Sequence, residues 1–266
     1  MLLEKQLNGV DWRCAIEELN HQGWTVLPSL FSEAQCHELA SLAENEVTVM
    51  AGTDDPNTSL CNGWLTHLTR PAEILQRIEE ALYSQLYQLA NKWNEQFQGS
   101  YCFPRKAWEL TQECNEWGQH RSLTYLSRYG EGDHELLHQC VKGGQRIFPL
   151  QAVVLLSQPG KDFQGGELFV SERIPGLMPK TSVLPMWQGD VAIFAFNKRP
   201  ILFCQSVLRA IVRYGVQRVQ SGERVALNLV FHKGVGQNDI TPSPNYYEGA
   251  SSRFLVRLVE GGKLIK

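Results

Sequence analysis

From Leu123 onward the chain is a succession of short runs rich in β-branched and aromatic residues: "LTYLSRYG", "FPLQAVVLLS", "GELFVSE", "SVLPMW", "GDVAIFAF", "AIVRYGVQRV" and "RVALNLVFH". Glycine, proline and polar turns separate them, and no helical pattern intervenes. Many short strands at such spacing, with no helices between them, indicate a sandwich or barrel. A jelly roll of this kind has apolar faces to bury, and the preceding 120 residues supply the cover.

That earlier region reads as helical. Asp11 is a plausible N-cap for "WRCAIEELNHQ", and Gly23 suits the left-handed residue that ends it. Ser32 and Gln35 form a capping-box pattern ahead of "EAQCHELASLAENE". Between Pro71 and Phe97, Ile74, Ile78, Leu82, Leu86, Leu89 and Trp93 recur at three- and four-residue spacing, the stripe of an amphipathic helix. A shorter helix follows from Pro104 to Trp117, and "DDPNTSLCNG" reads as a surface loop. The expected organisation is a helical region over 1–120, a β core over 121–235 and an extension over 236–266, all in one structural domain. The fold class is α+β, mainly β with an α layer.

Composition restricts function. Hydrophobic residues make up 43% of the chain, enough for a substantial core. The 25 basic and 28 acidic residues give a formal charge of -3, so charge does not support nucleic-acid binding. Seven cysteines, odd in number and without close pairs, read as reduced thiols of a cytoplasmic protein. The charged N-terminus does not read as a signal peptide, and no apolar run is long enough for a membrane span.

Four features of the β-rich half occur in a telling order: His138-Gln139-Cys140, "DFQGGELFV", "QGDVAIF" and "VRYGVQRVQSGERVALNLVFH". Together with the "GW..LP.L" entry, the "LANKW" helix and the "GQ.R" run, they resemble the 2-oxoglutarate/Fe(II)-dependent oxygenase superfamily from about Trp12 to His232. The narrower likeness is to a bacterial branch named for oxidation of damaged nucleic acid. The resemblance implies a double-stranded β-helix, an Fe(II) cofactor held by His-X-Asp and a distal His, and 2-oxoglutarate as cosubstrate with its far carboxylate on an arginine. Three ligands on one face of the metal leave three positions for cosubstrate and O2.

Carried onto this sequence, His138 takes the first ligand position and Arg224 the carboxylate-binding one. Cys140 stands where the family has Asp, and Tyr214 where it has the distal His. Arg199 and Arg209 also match and fall toward the cosubstrate or substrate side. Asp190 and the Gly165-Gly166-Glu167 run match turns of the scaffold.

Several readings of this altered set compete. His138, Cys140 and Tyr214 form a replacement triad, whose thiolate favours zinc or a softer ion over Fe(II). Alternatively the metal site is degenerate within a stable fold. His134 and His120 lie close enough in sequence to substitute as ligands, although each is more often a solvated loop histidine. A Cys140–His138 nucleophile pair lacks an orienting third residue. His232 has no catalytic role in any of these readings. Two functions follow: a diverged dioxygenase acting on a small molecule or modified base, or an inactive β-helix that binds a small molecule or a protein partner.

Overall fold

The computed structural model describes residues 2–44, 46, 48–50, 61–68, 72–139, 144, 146–204 and 206–235. After a short helix, α1 (Leu2–Asn8), α2 (Trp12–Gln22) starts where the sequence places its cap: Asp11 Oδ1 accepts from Cys14 N at 3.0 Å. Gly23, at φ 82°, ends it and turns the chain into β1 (Trp24–Leu27). The capping box forms around α3 (Glu33–Ser41), with Ser32 N donating to Gln35 Oε1 at 2.9 Å and Gln35 N to Ser32 Oγ at 3.3 Å. Three short strands follow, β2 (Thr48–Met50), β3 (Cys61–Asn62) and β4 (Trp64–His67). The expected surface loop, between β2 and β4, lies mostly outside the described residues.

The long apolar stripe forms α4 (Glu73–Gln96), which buries Leu75, Ile78, Leu82, Leu86, Leu89 and Trp93 along one face. Each large apolar side chain so buried stabilises the fold by about 1.5–3 kcal/mol. This face meets the core in an aromatic cluster: Tyr83 packs on Phe148 with ring centroids 4.8 Å apart, and Phe148 on Phe103 and Phe231 at 5.1 and 5.3 Å. Trp93 Nε1 donates to Asn20 Oδ1 at 3.0 Å and so ties α4 to α2. The shorter helix α5 (Ala107–Glu116) completes the layer.

The remaining strands are β5 (Arg121–Ser122), β6 (Tyr125–Tyr129), β7 (His134–His138), β8 (Leu150–Leu155), β9 (Phe163–Gly165), β10 (Leu168–Arg173) and β11 (Lys180–Val183). After these come β12 (Val191–Ala195), β13 (Lys198–Phe203), β14 (Ser206–Val216), β15 (Val219–Gly222), β16 (Arg224–Val230) and β17 (Lys233–Gly234). One sheet runs β1-β12-β8-β16-β6-β4-β2 and the other β11-β10-β14-β7-β3, with β13 also on β14. Neighbours in both sheets are antiparallel. This is the double-stranded β-helix. β8 and β12 are buried at every position, as strands with a helical layer on one face and the barrel interior on the other must be.

The N-terminal region does more than cover the core, because β1 extends one sheet through β12 and β4 extends it through β6. Arg199 holds this junction together. Almost fully buried, it pairs with Glu172 through Nε and through Nη2 at 2.9 Å, and donates to the carbonyls of Asn20 at 2.9 Å and His21 at 3.2 Å at the end of α2. The expectation that Arg199 faces the cosubstrate is therefore corrected. Its fork is used up on a buried carboxylate and two helix-end carbonyls, which otherwise lack partners. Arg209 is corrected likewise, since its guanidinium stacks 5.0 Å over Phe97 beside the end of α4. Asp190 is a scaffold residue, accepting from Ser29 N and Trp187 N at 2.7 Å each. The extension over 236–266 lies outside the described residues.

Candidate functional site

The site is built where β7 and β14 pair. Tyr214 lies opposite His138 and Val216 opposite Glu135, so β14 advances two residues while β7 advances three. The extra residue is a β-bulge. In an unbroken strand, residues three apart face opposite sides. Here the bulge turns Glu135 and His138 toward each other, with Glu135 Oε1 3.6 Å from His138 Nε2. Gly215 faces the bulged backbone, and a Cβ there would stand 2.5 Å from the carbonyl oxygen of Glu135. The glycine after Tyr214 is thus what lets β7 bulge.

Glu135 is buried and held from its other side by Tyr129, whose hydroxyl donates to Oε2 at 3.2 Å. Tyr129 sits on β6, directly across from Arg224 on β16. The Arg224 side chain, 2% exposed, runs past Gly166, where a Cβ would come within 3.0 Å of Arg224 Cδ. Gly166 also adopts φ +68°, so the turn needs glycine both for its conformation and for this close approach. Arg224 Nε has no hydrogen-bond partner among the described residues. Burial pushes the guanidinium pKa down, and the neighbouring Tyr129, Glu135, Tyr125 and Glu167 partly offset that. A buried guanidinium with an unsatisfied donor is costly, by several kcal/mol in general, unless something anionic joins it.

His138 completes the arrangement. Its Nδ1 donates to the carbonyl oxygen of Leu136 at 3.2 Å, while Nε2 faces Glu135. The imidazole packs on Tyr214 with centroids 4.5 Å apart, and Tyr214 packs edge-on against Phe194 at 5.2 Å. Gln139 anchors the end of the strand by donating to Asn197 O at 3.2 Å.

Of the residues predicted from sequence, the structure brings His138 and Tyr214 into contact and buries Arg224 in the barrel; Cys140 lies outside the described residues. His134 adjoins Glu135 and so points to the other face of the strand, with Nδ1 3.5 Å from Gly132 O. His120 is an exposed residue whose Nδ1 meets Asn115 Oδ1 at 3.2 Å. His232 is fully buried, its Nδ1 accepting from Phe148 N at 3.2 Å. Glu135 is the residue that sequence reasoning missed. Its spacing from His138 places it on the wrong face, and the one available signal was the glycine inside the strand "VRYGV".

Among the described residues, the donor set does not match an Fe(II) site of the kind the fold usually carries. That site takes two imidazoles and a carboxylate on one face of the metal. No group of three His, Cys, Asp or Glu side chains gathers among the described residues. The single imidazole, His138, faces a carboxylate already engaged by Tyr129 and lying in the field of Arg224.

The fold is the one shared by solved 2-oxoglutarate/Fe(II) oxygenases. Among solved structures, a prolyl hydroxylase from Trichoplax adhaerens, in complex with a hypoxia-inducible-factor peptide fragment, shares the fold with a TM-score of 0.54 at 11% identity, over 87% of this chain and 92% of that one. A 2OG-Fe(II) oxygenase family protein from Burkholderia pseudomallei aligns with a TM-score of 0.50 at 16% identity, over 86% of this chain and 94% of that one. A family described as an oxygenase catalysing oxidative methylation of damaged DNA matches residues 65–234, more than half of the chain, and the chain belongs to that family. An uncharacterized protein of Mycobacterium tuberculosis is 31% identical over 161 residues, 60% of this chain and 69% of that one.

Proposed function

We propose that this protein is a carboxylate-binding member of the oxygenase family, one that keeps the anion subsite and has given up the iron site. The observation that carries the reading is Arg224: fully enclosed, aimed into the barrel and with Nε unsatisfied. A guanidinium without a ligand in that position only lowers stability, and a bound carboxylate supplies the missing acceptors through charge-assisted hydrogen bonds. The ligand is a small molecule. A protein partner would act through the outer surface. Nucleic acid is not supported, because the formal charge is -3 and Arg209 is committed to Phe97.

A second reading has its own support in the facing of His138 and Glu135, since 3.6 Å is a separation that two donors on one ion can have. In that reading the chain is a diverged oxidoreductase. His138, with Cys140 and Tyr214 in place of the usual partners, holds a metal, and 2-oxoglutarate is spent on oxidising a small molecule or modified base. Supplied metal brings the oxygen chemistry, while Arg224 fixes the cosubstrate carboxylate and Tyr129 orients Glu135. The two readings separate in one experiment. The purified protein is supplied with Fe(II), 2-oxoglutarate and O2, oxygen uptake and succinate are measured, and the melting temperature is followed with added carboxylates. We expect ligand-dependent stabilisation without succinate. Succinate formed in step with oxygen uptake would reject the binding reading in favour of the oxidoreductase.

A further inference from the structure

We propose that the β13–β14 ribbon and the neighbouring β10–β11 hairpin form a membrane-docking edge, whose apolar tips seat in the interface of an anionic lipid bilayer. This surface is independent of the carboxylate subsite. Strand register places both hairpins at one end of the same sheet. Arg173, the last residue of β10, lies opposite Ile211, while β14 begins at Ser206 and has β13 beside it as far as Phe203. Residues 206–210 of β14 thus stand beyond the end of β10, and the connection from β10 to β11 leaves the sheet at that same end.

These hairpins expose apolar side chains. Leu202 is 70% exposed, Phe203 60% and Met178 90%, and Leu177 and Val207 are exposed as well. Leu202 and its cross-strand partner Val207 emerge on one face of the ribbon and Phe203 on the other. Apolar side chains gathered at a protruding edge mark a surface that meets a membrane or another molecule.

Charge selects between these. From Arg173 to Gly222 the chain has seven Lys and Arg residues and a single acidic one, Asp190, in a protein whose formal charge is -3. Arg199 is neutralised by Glu172. Arg173, Lys180, Lys198, Arg209 and Arg213 make no ion pair among the described residues. Lys198 and Arg209 stand together over the Phe97 ring, where burial and then Arg209 lower the Lys198 pKa. Arg209 and Arg213 alternate with Ile211 along β14, and Arg173 and Lys198 both lie opposite Ile211. All four cations therefore share the face of Leu202 and Val207. An apolar tip ahead of a basic band matches a bilayer, with hydrocarbon to receive the one and lipid phosphates to meet the other. A second copy of the chain fits less well, because a two-fold contact would set the basic band against itself. Single-stranded nucleic acid calls for several aromatic platforms, and Phe203 is the one aromatic residue in 174–179 and 202–207.

The test is cosedimentation of the full chain with vesicles of phosphatidylcholine alone, or of phosphatidylcholine and phosphatidylglycerol in equal parts, at low and raised salt. Binding is expected to the mixed vesicles only and should weaken as salt rises. Leu202→Ser with Phe203→Ser, and separately Arg173→Gln with Arg213→Gln, should each weaken it at least about tenfold. All four side chains are exposed, so both variants should keep the wild-type melting temperature. Should the first pair fail to fold, Leu177→Ser with Met178→Ser replaces it. No binding to the mixed vesicles, equal binding to both kinds, or binding indifferent to loss of the apolar tips would overturn the proposal. So would binding of a single-stranded oligonucleotide without vesicle binding. A dimer in sedimentation that Leu202→Ser with Phe203→Ser dissociates, again without vesicle binding, would overturn it in favour of self-association.

Discussion

At the scale of single residues, Arg224 is the side chain whose physical setting is hardest to explain by folding alone. A charge kept for structure is normally surrounded by acceptors, as Arg199 is by Glu172 and two carbonyls. Arg224 Nε has none among the described residues. Arg224→Met should therefore leave the ligand-free protein as stable as the wild type or more so, by up to about 1–4 kcal/mol in chemical denaturation. A large loss of stability would make it a structural residue. Two other titratable groups, Cys36 and Glu79, are shifted by their surroundings. Cys36 is buried and its thiol is pushed up to about 11, first by burial and then by Glu33 and Asp190. In native alkylation followed by peptide mass spectrometry, Cys36 should stay unmodified while the exposed Cys102 and Cys204 react.

Glu79 extends the argument to pH. Burial raises its carboxyl pKa, more than Lys233 and the Thr124 hydrogen bond lower it. The folded state therefore holds this proton to higher pH than the unfolded chain does. The sign follows directly: stability falls as pH rises from the ordinary glutamate value of about 4.3 through the raised one. Glu79→Gln should accordingly gain on the wild type in melting temperature between pH 4 and pH 8, and a constant difference across that range would refute the assignment.

At the scale of elements, the β7 bulge and the junction of α2 with β13 do the positioning. Gly215→Ala places a methyl group 2.5 Å from the carbonyl of Glu135, and neither backbone can yield without losing its ladder. A loss of about 1–3 kcal/mol in chemical denaturation is expected. At the junction, Arg199→Met strands Glu172 in the interior and should cost about 3–5 kcal/mol, whereas Arg199→Met with Glu172→Met should recover most of it. Equal losses in the single and double variants would show that the pair is not coupled.

Most of these elements were legible in the sequence because local rules decide them. Asp11, Ser32 and Gln35 cap as their side-chain oxygens dictate, and the α4 stripe is buried as its period requires. What escaped sequence reasoning depends on strand register. The bulge that turns Glu135 inward changes the face of a residue without changing its spacing, and the burial of Arg199 on a distant helix end is set by sheet pairing alone.

At the scale of the whole molecule, the chain keeps a complete scaffold around an altered centre. Both sheets, the helical layer and the barrel arginine are in place, and family membership follows from residues 65–234. No helix among the described residues is long and apolar enough to cross a membrane. Within this scaffold, Tyr214 packs on Phe194 and His138, and Glu135 faces His138 from β7. Among the described residues, the centre sets a positive side chain, Arg224, and a negative one, Glu135, into the same interior.

The measurement that bears most directly on this account is calorimetric titration of small carboxylates into the wild-type protein and Arg224→Met, each shown to be folded. Saturable binding to the wild type, abolished in Arg224→Met without loss of stability, is expected. Equal binding to both proteins, or none to the wild type, would contradict it.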